Sequence, residues 1–173
     1  MPITRRGLTE FTFSRFLVPY LCGFQGTALF LDADMVVTRD IAELFALADG
    51  ESSVQVNRDQ ARFEWPSAML FNCEHCPMLT PEYVDDRKNQ LFDFAWAAKG
   101  IGEFPAEWNH CVGYAAPRLD ANLYHFTKGV PVWRETRGNP EDNIFYDAMK
   151  RMLHTVSHAE LMGNSVHVQK KAS

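Results

Sequence analysis

Residues 28–37 read ALFLDADMVV, an apolar strand that runs directly into two aspartates one residue apart and then into further β-branched residues. A short continuous apolar run fits a strand in a sheet interior, which needs other layers packed around it. Two carboxylates at the exposed end of such a strand repel each other unless a cation sits between them. Asp32 and Asp34 are therefore the first candidates for chemistry.

The rest of the chain supplies the layers. Phe13, Phe16, Leu17, Tyr20 and Leu21 recur at helical spacing, with Pro19 implying a kink or an early end and Gly23 placed to stop the helix. Thr27 to Leu31 is the buried strand. Asp40-Ile-Ala-Glu43 has the spacing of an N-cap with a reciprocal acid, and Asp49-Gly50 closes the helix that follows. Val54 to Asn57 and Ser67 to Phe71 read as strands, Thr80-Pro81 starts a helix, and Leu91 to Lys99 is expected to be helical up to Gly100. Ala121 to Phe126 is extended, and Asn139 to Asp142 begin a last helix with Ile144, Phe145, Ala148, Met149 and Met152 inward. Strands alternating with helices predict an α/β layered fold. With no repeat, linker or low-complexity tract, residues 1–173 are read as one domain.

Composition excludes several functions. The 173 residues are 46% hydrophobic and 23% charged with a formal net charge of −5, a globular profile without a basic footprint for nucleic acid. The runs Arg5-Arg6 and Lys170-Lys171 read as solvated tails. No apolar stretch approaches the ~20 residues that span a bilayer, and no signal-peptide core is visible, so a soluble, cytoplasmic protein is expected. Four cysteines at this length imply free thiols. Cys73-Glu-His-Cys76 has the gap of a zinc half-site that His110-Cys111 would have to complete, but the second half lacks matching spacing.

Three readings of the aspartate pair compete. The two acids can simply end the strand and cap the following turn. Asp32-Ala-Asp34-Met-Val36-Val37 also satisfies the D-x-D-x-[TV]-[LV] motif of haloacid dehalogenase-type phosphatases, which makes Asp32 a nucleophile beside magnesium. In the third reading the carboxylates hold Mn²⁺ or Mg²⁺ against a donor diphosphate. The flanks favour the third. Thr9 to Phe45 resembles the glycogenin-like glycosyltransferases (family eight), with a Ser-Arg pair on a helix, a strand, D-x-D, then D-[IL]-x-E-L-[FW]. Downstream, Pro105-Ala-Glu-Trp108-Asn109 is similar to that family's L-P-x-x-W-N loop. Leu123-Tyr-His125-Phe-Thr-Lys128-Gly129-Val-Pro131-Val-Trp133 is similar to its H-x-x-G-x-x-K-P-W segment.

The resemblance implies a GT-A (Rossmann-like) mixed sheet flanked by helices. The implied activity is metal-dependent hexose transfer from a nucleoside-diphosphate sugar to an unidentified acceptor, with retention at the anomeric carbon. It implies Asp32, Asp34 and His125 as metal ligands, Asp34 and Arg15 as catalytic residues, and Arg15, Asp32, Lys128, Gly129 and Asn109 as donor contacts. Neutral imidazole is in any case a good ligand for Mn²⁺ beside carboxylates. The sequence departs from the family where Lys128 stands in place of glycine, Pro131 in place of lysine, and Trp65-Pro66-Ser67-Ala68 in place of F-N-x-G. Trp65, Trp108 and Trp133 are either core residues or sugar platforms. A family member also carries βαβ units before its D-x-D, whereas residue 32 is already the first aspartate here. The resemblance thus implies an N-terminally truncated relative, a sheet edge open to self-association, and, as an alternative, a non-catalytic binding protein.

Overall fold

A computed structural model describes residues 12–59 and 61–155. The tails with Arg5-Arg6 and Lys170-Lys171, and the first residues of the Thr9 to Phe45 match, lie outside them. Among the described residues seven strands run in chain order: β1 (Thr27–Leu31), β2 (Met35–Val37), β3 (Val54–Val56), β4 (Ala68–Asn72), β5 (Ile101–Glu103), β6 (His110–Cys111) and β7 (Leu123–His125). They form a four-stranded sheet in the order β1-β4-β3-β5 and a three-stranded sheet in the order β2-β7-β6. In the larger sheet β4 is antiparallel to β1 and β3, and β5 is parallel to β3. In the smaller sheet β7 is antiparallel to β2 and parallel to β6.

Strand alternation builds two cores from one sheet. Ala28 opposite Phe71 and Phe30 opposite Met69 face a core with Phe13, Phe16, Val54, Leu91, Phe94 and Trp96. Leu29 opposite Leu70 and Leu31 opposite Ala68 face the other way, onto Leu44, Phe104, Trp108 and Leu123. A third core lies between the small sheet and a long helix, where Val36, Tyr124 and Phe126 meet Ile144, Phe145 and Ala148. Among the described residues, β1 is an end strand of its sheet.

The helices before the last are short. The segment after Phe13 is a 3₁₀ turn (Ser14–Leu17) followed by α1 (Val18–Leu21), with Pro19 at its first turn and Gly23 at φ 63° ending it. Helix α2 (Ile41–Phe45) starts where Asp40 accepts the Ala42 N–H, and ends well before Gly50. Helix α3 (Pro81–Asp85) is capped by Thr80 through the Tyr83 N–H. Helix α4 is Asp142–Thr155. The helix expected over Leu91 to Lys99 does not form beyond a 3₁₀ turn (Leu91–Asp93). Phe94 and Trp96 are 3% and 1% exposed in the same core, and residues two apart on a helix point to opposite sides. Phe94 therefore takes φ 57°, and the Trp96 indole N–H claims the Leu91 carbonyl at 2.9 Å.

Candidate active site

The two sheets meet at the aspartate pair. Asp32, one residue past β1, donates its N–H to the Ser67 carbonyl at 2.9 Å. Asp34, one residue before β2, accepts the Phe126 N–H at 3.0 Å just beyond β7. Both side chains open into a cleft of roughly 830 Å³ whose walls include Arg15, Phe63, Glu64, Ser67, Tyr114, His125 and Thr127.

Asp32, Asp34 and His125 each bring one ligand atom within 4.8 Å of the other two. The His125 Nε2 lies 3.3 Å from Asp34 Oδ1. Two carboxylates and an imidazole form a donor set that fits a divalent cation such as Mn²⁺ or Mg²⁺. Burial raises the Asp32 pKa above the usual carboxylate value, and repulsion from Asp34 adds to this, while Arg15 and His125 offset only part of it. Holding this pair without a cation is costly, as charge repulsion at a strand end requires.

Arg15 is fastened by its whole fork. Its Nη2 pairs with Asp32 Oδ1 at 2.9 Å, its Nη1 donates to the Pro66 carbonyl at 2.7 Å, and its Nε donates to the Thr12 carbonyl at 3.1 Å. The guanidinium also lies 5.0 Å from the centre of the Phe30 ring. Three of its five N–H donors are thus spent on the protein, leaving two for an anion in the cleft.

The remaining expected donor contacts stand farther back. Lys128 donates to the Gly113 carbonyl at 2.6 Å and lies 4.5 Å from the centre of the Tyr114 ring. It is therefore committed to the loop after β6. Gly129 has φ 106°, and a Cβ there would meet the Thr136 side chain at 2.8 Å, so the chain needs glycine for its path. Asn109 is fully buried and donates to Ser67 Oγ at 2.9 Å, reaching the cleft wall only through that serine. Trp108 is buried in the core, Trp65 is half-buried with Arg58 and Arg62 against its ring, and Trp133 is exposed.

Several participants were not foreseen. Glu64, only 5% exposed, places Oε2 at 3.5 Å from His125 Nδ1 while its Oε1 accepts the Thr127 hydroxyl at 3.0 Å. The one hint was that Trp65-Pro66-Ser67-Ala68, the segment after it, departs from F-N-x-G. Cys111 stands 3.9 Å from the same Nδ1, and burial with the nearby Glu64 and Asp34 charges pushes its thiol up to about 12. Phe63 and Tyr114 pack edge to face at the cleft wall, 66% and 58% exposed. Cys73 and Cys76 lie apart from this, with the Cys76 thiol donating to the Ser53 carbonyl at 3.2 Å, and His110 is paired with Glu141. All four cysteines are free.

A sequence model of glycosyl transferase family 8 matches residues 2–92. The chain is 32% identical over 156 residues to Protein CDI of Arabidopsis thaliana, covering 73% of this chain and 60% of that one. It thus spans about 60% of that relative's length. The fold resembles the glycosyltransferase GlyE of Streptococcus pneumoniae TIGR4 at a TM-score of 0.56 and 16% identity, over 79% of this chain and 42% of that one. It also resembles the galactosyltransferase LgtC in complex with donor and acceptor sugar analogs, at a TM-score of 0.55 and 13% identity, over 86% and 70% of the two chains. The mixed α/β architecture is that of GT-A glycosyltransferases. Among the described residues no helix is long and apolar enough to cross a membrane.

Proposed function

The chain belongs to glycosyl transferase family 8, and from that membership we propose that its cleft binds a nucleoside-diphosphate sugar through a divalent cation and transfers the hexose, with retention, to an acceptor hydroxyl. The observation that carries this reading is the convergence of Asp32, Asp34 and His125 within 4.8 Å beside the fixed guanidinium of Arg15.

Asp32, Asp34 and His125 would hold Mn²⁺ or Mg²⁺, which supplies a counter-charge for the diphosphate and for the negative charge that grows on the departing nucleotide. Arg15, already oriented by three protein contacts, directs its remaining N–H groups at phosphate or sugar oxygens without further ordering cost. Glu64 and Ser67 form the wall behind the reacting sugar. Asn109 acts on that wall through Ser67, and Lys128 with Gly129 shapes the rim. The bound analogs of LgtC, a donor and an acceptor sugar, give the substrate class to be tried first. We place the protein in the cytoplasm, in keeping with its free thiols. Pairing of two copies along the edge of β1 belongs to the same reading, since that strand is bonded on one side only among the described residues.

Mn²⁺-dependent hydrolysis of a panel of UDP- and GDP-sugars tests the reading. Release of the nucleotide diphosphate that depends on added cation and is lost in Asp34→Asn is the expected result. Cation-independent turnover would remove the metal from this reading, and a phosphoaspartate on Asp32 after incubation with a simple phosphomonoester and Mg²⁺ would replace the transferase by the phosphatase reading.

A further inference from the structure

His125 has two ring nitrogens and two carboxyl groups facing them. Nε2 looks toward Asp34 at 3.3 Å and Nδ1 toward Glu64 at 3.5 Å. The two acids differ in their surroundings. The Asp34 side chain is 34% exposed on the cleft, whereas that of Glu64 is 6% exposed and closed in by the Thr127 hydroxyl on its other oxygen. A buried carboxylate with one oxygen satisfied requires a donor at the second, and Nδ1 is the group within reach. The neighbouring Cys111 does not replace that donor: its Sγ stands 3.9 Å from both the Asn109 carbonyl and His125 Nδ1, and a thiol is a weak donor beside an imidazole N–H.

We propose that Glu64 is a positioning residue that keeps the His125 proton on Nδ1, so that the lone pair of Nε2 is turned toward the cation held by Asp32 and Asp34. The opposite tautomer would set the Nδ1 lone pair against a buried carboxylate oxygen, two acceptors facing each other where water cannot intervene. A carboxylate behind a ligating histidine fixes both the tautomer and the ring orientation, and loss of such a partner costs 10- to 100-fold in metal affinity. This inference rests on the cation reading above, but its tautomer component is visible without any metal.

The experiment is ¹⁵N-histidine NMR of the metal-free full chain at about pH 8, where a free imidazole is neutral. The His125 signals are assigned by their absence in His125→Gln, and Mn²⁺ titration follows on the same samples. The wild type should show the Nδ1–H tautomer. Glu64→Leu should mix the tautomers and weaken Mn²⁺ by about 10- to 100-fold. Glu64→Gln, whose amide oxygen still accepts from Nδ1, should keep the tautomer and recover most of the affinity. A wild-type His125 with its proton on Nε2 overturns the proposal, and that spectrum decides it even if Glu64→Leu does not fold. So does a folded Glu64→Leu with unchanged Mn²⁺ affinity, or a Zn²⁺ site present in the wild type and lost in Cys111→Ser, which would put metal on Nδ1. Wild-type Mn²⁺ affinity in Asp34→Asn marks a different failure, that of the cation site itself.

Discussion

His110 and His125 sit on neighbouring strands of the same three-stranded sheet, each 3% exposed and each against a glutamate, yet they are set up for different work. In the β6–β7 register His110 lies opposite Tyr124 and Cys111 opposite His125, so the two imidazoles leave the sheet on opposite faces. His110 turns to the helix side, where Glu141 takes its Nε2 at 3.0 Å and the Arg118 N–H at 2.9 Å, and Tyr124 closes the ring in from the edge. That pair is consumed internally. His125 turns to the cleft, and beyond its buried glutamate it meets a second carboxylate that is partly open to solvent. Burial alone does not separate a structural histidine from a functional one; the second partner and its access to solvent do.

The two histidine sites should differ most in their response to a change at Asp34. Asp34→Asn should lower cation-dependent donor hydrolysis by about 10³-fold, measured as initial rates at saturating Mn²⁺, because a neutral amide is a poor ligand and leaves developing charge uncompensated. Removing the carboxylate on the other face should act on the fold instead. Glu141→Ala strands a buried imidazole and should cost about 3 kcal/mol in urea denaturation while leaving Mn²⁺ affinity at its wild-type value. Equal effects of the two variants on cation binding would erase the distinction.

The internal pair also carries a pH signature. Burial raises the Glu141 pKa, but the hydrogen bonds from His110 and from the Arg118 N–H outweigh it and hold the acid below its ordinary value of 4.5. A depressed acid stabilises the fold above its unfolded-state pKa and loses that contribution as pH falls through the folded value. Stability of the wild type should therefore drop as pH falls below 4.5, with the slope reduced in Glu141→Gln. The smallest effect is expected at Thr127→Val, which removes one hydrogen bond to Glu64. An approximately two- to threefold loss of Mn²⁺ affinity by calorimetry is the expected size.

What could be read in advance follows the reach of the physics involved. Thr27–Leu31 is a strand over the residues read from its apolar run, and Asp40 and Thr80 cap the helices they announce, because these signals are complete within a few neighbouring residues. The spacing of Asp32 and Asp34 and the flank of His125 marked three residues that the fold brings together across 91 or more positions of chain, and there the resemblance to family members supplied the missing link. Strands β2, β5 and β6 have two or three residues each, too few to display a period of two, and exist through partners far away in sequence. Leu91 to Lys99 misled because helical composition was overruled by the burial of Phe94 and Trp96 in one core. Glu64 was invisible for a related reason. An acid in a 3₁₀ turn is ordinarily solvated, and only tertiary contact with His125 and Thr127 makes this one an internal group.

Ala33 is more than a spacer between two acids. Asp32 is still bonded to the end of the four-stranded sheet through Ser67, and Asp34 is already bonded to the three-stranded sheet through Phe126, so Ala33 alone makes the passage between them. The one-residue gap is thus a seam as well as a ligand spacing. One residue more or fewer would carry Met35, Val36 and Val37 onto the wrong sides of their sheet, sending Val36 away from Tyr124 and the helix core. The tolerance for rebuilding this motif is set by how two sheets are stitched together before any cation or sugar arrives.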